Sequence, residues 1–319
     1  MLGIAFPARA ELERVGPVNN DPRVGGFPAW YQDKTGVAVE FCDPLNAAEL
    51  DGGWCLLVTG DAILPEHFPD NFFDEHFYYA GEASLTPANG GRALLVTALE
   101  SAFNAGVAPG EQIMFSRIRV RLEPLPATGT YRFIHPFGEE VIDGVAGDRI
   151  FATDDVGIGA VGDFSGALNS RLGPFLKASN TPGGSELPAA TGPVPGKLYL
   201  ADPGRVGPVT GSTLPDFVDS TGALRNHNIF RIEGPPGSAL GGVNADGTTI
   251  DFIETTDFSL MGRLFTDTMP GRVNVDRASY TSNASGNKLD VFAAGEPTTQ
   301  GRSPGQPRPP AVMPQLSYF

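Results

Sequence analysis

Only two cysteines, Cys42 and Cys55, and four histidines occur in the 319 residues. A structural zinc site takes four ligands, and two cysteines thirteen positions apart with no neighbouring histidine pair do not make one. Basic charge is also scarce: 22 lysines and arginines face 37 acids, for a net charge of −15 at pH 7 and a pI near 4.6. Such a surface repels phosphate backbones and anionic lipid. Nucleic acid and a membrane surface are therefore poor partners, while cations and neutral ligands stay open. No apolar run reaches the roughly 18 residues that a spanning helix needs. No cationic stretch leading into an apolar core opens the chain, although Pro7-Ala8-Arg9-Ala10 fits the trimmed end of an export signal. Gly157-Ile158-Gly159-Ala160-Val161-Gly162 spells a dinucleotide fingerprint, but an acidic turn precedes it and no βαβ unit surrounds it.

What the chain has in plenty is turn-formers. Its 41 glycines and 29 prolines, roughly a fifth of all residues, are spread from end to end. Each Gly inside a helix costs about 1 kcal/mol and each Pro about 3, so this spacing leaves room for strands joined by turns. Strands are predicted at 38–42, 54–58, 77–83, 93–103, 112–122, 130–135 and 140–142, and again at 198–200, 229–232, 248–253, 259–265 and 288–292. The clearest is 112–122, where Arg117, Arg119 and Arg121 alternate with Ile118, Val120 and Leu122. That is the period of a strand with one wet face. Residues 93–103 are rich in Ala and Leu, as a helix would be, but glycines bound them and a strong strand follows. They are assigned to a strand.

The predicted architecture is all-β and mainly antiparallel. A sandwich or jelly roll spans residues 12–177, and a Ser/Asn/Thr/Pro/Gly linker spans 178–196. A smaller β-domain covers 197–294, and a Pro-rich extended tail covers 295–319. Both ends carry short apolar patches, Leu2 to Phe6 and Leu316 with Tyr318-Phe319. Each end either frays or adds a strand to a neighbouring copy.

Five groups of residues are weighed for chemistry or cross-linking. Cys42 and Cys55 lie in strand-like runs on either side of residues 43–53, and a hairpin would bring them together as a disulfide. Closing so short a loop contributes about 3 kcal/mol in the loop-entropy model; the alternative is two buried thiols in a reducing compartment. Residues 68–79 gather Asp70, Asp74, Glu75, His76 and Tyr78 among phenylalanines. They form either a ligand platform or acid–base site, or a loop whose rings plug the core edge. Asp154, Asp155 and Asp163 lie in an acidic, glycine-rich stretch with the hard oxygens that calcium takes, though adjacent aspartates are also ordinary turn residues. Asn244-Ala245-Asp246-Gly247 misses both ends of an EF-hand loop and is read as a hairpin turn. His135 and His227 complete the candidate bases and are read as structural.

Several strings occur together: Gly26-Phe27-Pro28-Ala29-Trp30-Tyr31-Gln32-Asp33, Phe41-Cys42, Trp54-Cys55-Leu56, Phe77-Tyr78-Tyr79-Ala80-Gly81-Glu82-Ala83, residues 131–138, and Asn228-Ile229-Phe230-Arg231-Ile232-Glu233-Gly234-Pro235. Over residues 14–265 the chain resembles a group of secreted bacterial β-rich proteins, some carrying immunoglobulin-like or fibronectin-like modules. The resemblance implies export to the cell surface or beyond and supports the disulfide, but brings no activity and no functional residues. The expected function is that of an extracellular structural or adhesive protein without catalytic activity. Its expected partners are further copies of itself, another extracellular protein or a glycan. A secreted hydrolase of polymers and a carbohydrate-binding module are the alternatives.

Overall fold

A computed structural model describes residues 11–269, 273–283, 286–295 and 299–306. Its principal strands begin with β1 (Leu12–Val15), β2 (Trp30–Asp33), β3 (Ala38–Glu40), β4 (Glu75–Leu85), β5 (Arg92–Phe103) and β6 (Gln112–Glu123). There follow β7 (Gly129–His135), β8 (Gly138–Gly144), β9 (Ile150–Val156), β10 (Ala190–Thr191), β11 (Leu198–Tyr199) and β12 (Phe230–Glu233). The last are β13 (Phe252–Thr255), β14 (Ser259–Met261), β15 (Arg263–Leu264), β16 (Val273–Asn283) and β17 (Gly286–Gly295). One short helix, α1 (Ala47–Asp51), sits between β3 and β4. The fold is all-β, as the density of turns predicts.

Three sheets carry the structure. Their strand orders are β14-β4-β5-β6-β9, β13-β12-β7-β8 and β1-β2-β3-β15-β11-β10. Neighbouring strands run antiparallel throughout. All three sheets feed one buried cluster. Tyr31 and Val39 come from the third sheet, Leu95, Leu99, Ile118 and Val120 from the first, and Tyr131, Phe133, Phe230 and Ile232 from the second. Packing sheets face to face in this way makes a sandwich whose inner faces are the core. In β6, Ile118, Val120 and Leu122 are buried while Arg117, Arg119 and Arg121 keep contact with water. In β5 tertiary pairing decides against the helical composition: all twelve residues are in register with β6, and ten of them with β4.

The division at 178–196 is corrected. Strand β12 pairs with β7, β14 with β4, and β15 with β3. Residues beyond the supposed linker therefore complete sheets begun before it. The stretch itself is tied down, since Lys177–Ala178 pairs with Val209–Thr210 and β10 with β11. Two further expectations change. Residues 54–58 form turns following α1 and no strand. Asp154, Asp155 and Val156, expected to open an acidic, glycine-rich loop, are instead the last residues of β9. Strand β9 ends at Gly157, whose φ is +124°, and a Cβ there would stand 2.6 Å from the Met114 carbonyl oxygen.

Strands β16 and β17 form a hairpin that is a sheet of its own. Part of the expected tail is docked on its own chain. Thr299–Gln300 pairs with Thr268–Met269, and Arg302 bridges Val37 and binds Glu186 at 2.5 Å. The apolar patches at the two ends lie outside the described residues.

Candidate interaction face

The residues 68–79 do not converge on a site. Asp70 and Asp74 are exposed, and Asp70 sits 3.4 Å from the exposed His67. His76 is buried, with Nε2 2.7 Å from Glu66. Glu66 also accepts from the Phe73 amide at 2.7 Å. The buried Tyr78 hydroxyl donates to the Pro28 carbonyl. Phe72 stacks among Phe27, Phe41, Phe68 and Phe103, so the rings plug the core and leave no platform. Behind them Arg23 binds Asp43. Burial pushes the Asp43 carboxyl up to about 7 despite that arginine, with Glu66 adding to the rise. Burial also raises Glu66, but the hydrogen bond and charge of His76 outweigh it and the net shift is downward. Arg23 on Asp43, and His76 and the Phe73 amide on Glu66, anchor the loop beneath β4.

The calcium set is dispersed as well. Asp155 receives Nε and Nη2 of Arg117, each at 2.8 Å, and Asp154 lies 3.2 Å from Arg171. Asp163 accepts from the Ser165 amide at 3.1 Å and hydroxyl at 2.7 Å, and these bonds lower its pKa. Two of the three carboxylates are neutralised by arginine and the third caps a turn. Among the described residues, the one group of three or more His, Cys, Asp or Glu ligand atoms within 4.8 Å of one another is Cys42, Glu49 and Cys55. Cys42 and Cys55 are at disulfide distance, with Cα atoms 5.3 Å apart, so their sulfurs are not free to hold a metal. A capped helix and turn bring them together where a hairpin was expected. Asn46 caps α1 by accepting from the Glu49 amide at 2.9 Å, and the buried Glu49 accepts from the Leu45 amide at 2.6 Å. At residues 244–247 the hairpin turn forms as expected, with φ +85° at Gly247.

His135 and His227 are buried, each 3.7 Å from one of the neighbouring glutamates Glu140 and Glu139. Glu139 is also held by Arg132 at 2.6 Å. Burial works to raise Glu139, but the bonds from His227 and Arg132 win and bring it down to about 2. These histidines brace β7 and β8 from within.

One set of polar and apolar groups that reach solvent together lies where β8 ends the four-stranded sheet and β9 ends the five-stranded sheet, two strands that Arg171 ties through Glu140 and Asp154. Val141, Val145 and Phe151 are 65%, 57% and 48% exposed there, and Ile158 and Val161 just beyond are exposed too. The guanidinium groups of Arg119, Arg121 and Arg149 lie 5.1, 5.9 and 5.8 Å from the Phe151 ring centre, within cation–π range. Inward along the same face, Glu100 is buried and takes Arg117 at 2.8 Å. Desolvation, helped by the charges of Glu75 and Asp155, lifts its carboxyl to about 8 against the pull of Arg117. At the end of the face lies an open recess of about 700 Å³ whose lining includes Gly91, Arg92, Glu123, Gly147, Asp148 and Arg149.

Sequence reading found the arginine row and missed this side. The available signal was Ile150-Phe151-Ala152-Thr153, a β-rich run before the two aspartates. No family model, no curated protein and no solved structure matches the chain. No helix among the described residues is long and apolar enough to cross a membrane.

Proposed function

We propose that this is an extracellular structural or adhesive β-protein without catalytic activity, acting through the β8–β9 side of the sandwich. The observation that carries the reading is the meeting of two sheet ends with exposed Val141, Val145 and Phe151 and an arginine-flanked ring. Exposed apolar patches rimmed by polar groups mark interaction sites. The cysteine pair supports an oxidising, extracytoplasmic setting, as does the resemblance to secreted bacterial β-rich proteins. The test compares wild type with a Val141→Glu/Phe151→Glu double variant. Self-association is measured by light scattering and retention on immobilised extracellular-matrix proteins and glycans. A panel of chromogenic esters and glycosides is run beside them. Self-association or retention by wild type, reduced at least tenfold in the variant, is the expected result. Turnover of any substrate in the panel overturns the reading.

A carbohydrate-binding module is the second reading, favoured by the recess beside Arg149 and Phe151. Selective retention on a glycan array, lost in Arg149→Ala, distinguishes it.

A further inference from the structure

The two sheet ends are alike in ways that suit them to each other on separate copies. Strands β8 and β9 are each seven residues long, and neither contains proline or lysine. Natural edges are commonly blunted by those residues, by bulges or by a covering loop. Among the described residues each strand has a single sheet neighbour, β7 for β8 and β6 for β9. One row of main-chain N–H and C=O groups on each is therefore left without a ladder partner.

The acids of these strands are largely answered within the chain. Glu139 binds Arg132, Glu140 binds Arg171, Asp154 faces Arg171 and Asp155 binds Arg117. Four charges remain. Arg119 donates to the Thr153 hydroxyl at 3.0 Å, Asp143 accepts from Thr130 at 2.6 Å, and Arg149 and Asp148 are exposed. Among the described residues none of the four has an ion-pair partner. Each copy thus presents two uncompensated guanidinium groups beside β9 and two uncompensated carboxylates, one on β8 and one in the turn that follows it. The set is complementary to itself under a twofold axis, the relation that most homodimers use.

We infer that two copies associate through this side, β9 of each adding antiparallel to β8 of the other. Arg119 and Arg149 then face Asp143 and Asp148 of the partner subunit, and the exposed Val141, Val145 and Phe151 are covered. Strand addition of this kind takes its affinity from main-chain hydrogen bonds and its specificity from the side chains beside them. The inference rests on the interaction reading above and names the partner as a second copy.

Charge reversal in two complementary variants tests it. Arg119→Glu/Arg149→Glu removes the cations, and Asp143→Arg/Asp148→Arg removes the anions. All four substituted residues lie on the surface or half-buried, and circular dichroism checks that both variants keep the wild-type fold. Sedimentation equilibrium on wild type is expected to give twice the chain mass, with each variant alone dissociating at least tenfold more readily. An equimolar mixture of the variants is expected to recover the wild-type mass, because each contact then joins opposite charges again. A wild type that stays at one chain mass up to the highest soluble concentration overturns the inference, as do variants that associate like wild type or fail to rescue one another. A monomer that still binds a matrix protein or glycan leaves the adhesive reading standing; a monomer retained by none removes both.

Discussion

Ile118 and Arg119 are adjacent in the chain and have little else in common. Ile118 is in the shared core, and Arg119 lies over Phe151 with one hydrogen bond to Thr153. Truncating Ile118 to Ala removes buried methylenes and leaves a cavity, and urea unfolding should show a loss of about 2–5 kcal/mol. Arg119→Ala should lose less than about 1 kcal/mol. Equal losses would mean that the register of β6 is wrong. Glu100 supports a second expectation. Its folded pKa of about 8 stands above the ordinary carboxyl value of 4.5, so the folded chain holds a proton that the unfolded chain releases. The associated stability is complete below about pH 4.5 and is lost as pH rises through about 8. Glu100→Gln keeps a neutral side chain at every pH, and Arg117 keeps its two bonds to Asp155. Unfolding free energy measured at pH 5, 6.5 and 8.5 should therefore fall less steeply in this variant than in wild type. Identical slopes would place an ionised Glu100 in the folded protein at neutral pH.

At the scale of elements, the most telling junction is the one joining α1 to β3, β11 and β15. Arg263 in β15 donates to Glu40 at 2.5 Å, to Glu49 at 3.0 Å, and to the carbonyls of Phe41 and Asp43. Tyr199 of β11 donates to Glu49 at 2.6 Å. Replacing Arg263 by Met keeps the bulk but leaves two buried carboxylates undercompensated, and the expected loss is about 3–5 kcal/mol in denaturant unfolding. A loss below about 1 kcal/mol would show that Lys197 and Tyr199 suffice to hold them. The neighbouring cysteines should be oxidised. Non-reduced mass spectrometry should find two hydrogens missing, whereas two thiols alkylatable in denaturant would refute the cross-link. How much of this was legible follows from where each signal resides. Strand β6 could be read because its alternation is local, and the 244–247 turn because its Asp-Gly pair is. The end of β9 was misread because Asp154-Asp155 before glycine has the composition of a turn, and only the distant Arg117 and Arg171 make them strand residues. The single core across residue 178 was hidden for the same reason: β12 finds β7 roughly a hundred residues upstream, and no local pattern records that.

For the whole molecule, two populations of carboxyl groups pull stability in opposite directions with pH. Burial raises Asp33, Asp43, Glu82 and Glu100, with Asp43 near 7 and Glu100 near 8. The contribution of Asp43 and Glu100 is complete at acidic pH and is lost as pH climbs through those values. Burial works to raise Glu139 and Glu186 too, but hydrogen bonds from His227 and Arg132 in one case, and from Arg302 and Lys177 in the other, bring both down to about 2. Their contribution is present above about 4.5 and disappears as pH falls toward 2. His135, held neutral by burial and so lowered, opposes acidification below its ordinary value of 6.5. Between pH 8.5 and about 5.5 one histidine acts against Asp43 and Glu100, and the two carboxyls dominate. The net charge of −15 works the same way, because protonation relieves self-repulsion. Thermal unfolding is therefore expected to peak in mildly acidic buffer, with the midpoint at pH 5.5 above those at both pH 8.5 and pH 3. Each proton taken up on folding contributes a slope of about 1.4 kcal/mol per pH unit, so the fall from pH 5.5 to 8.5 should be resolved easily. A midpoint that rises steadily from pH 5.5 to 8.5 would show that the buried acids are ionised in the folded state, and that their arginine neighbours outweigh the cost of their burial.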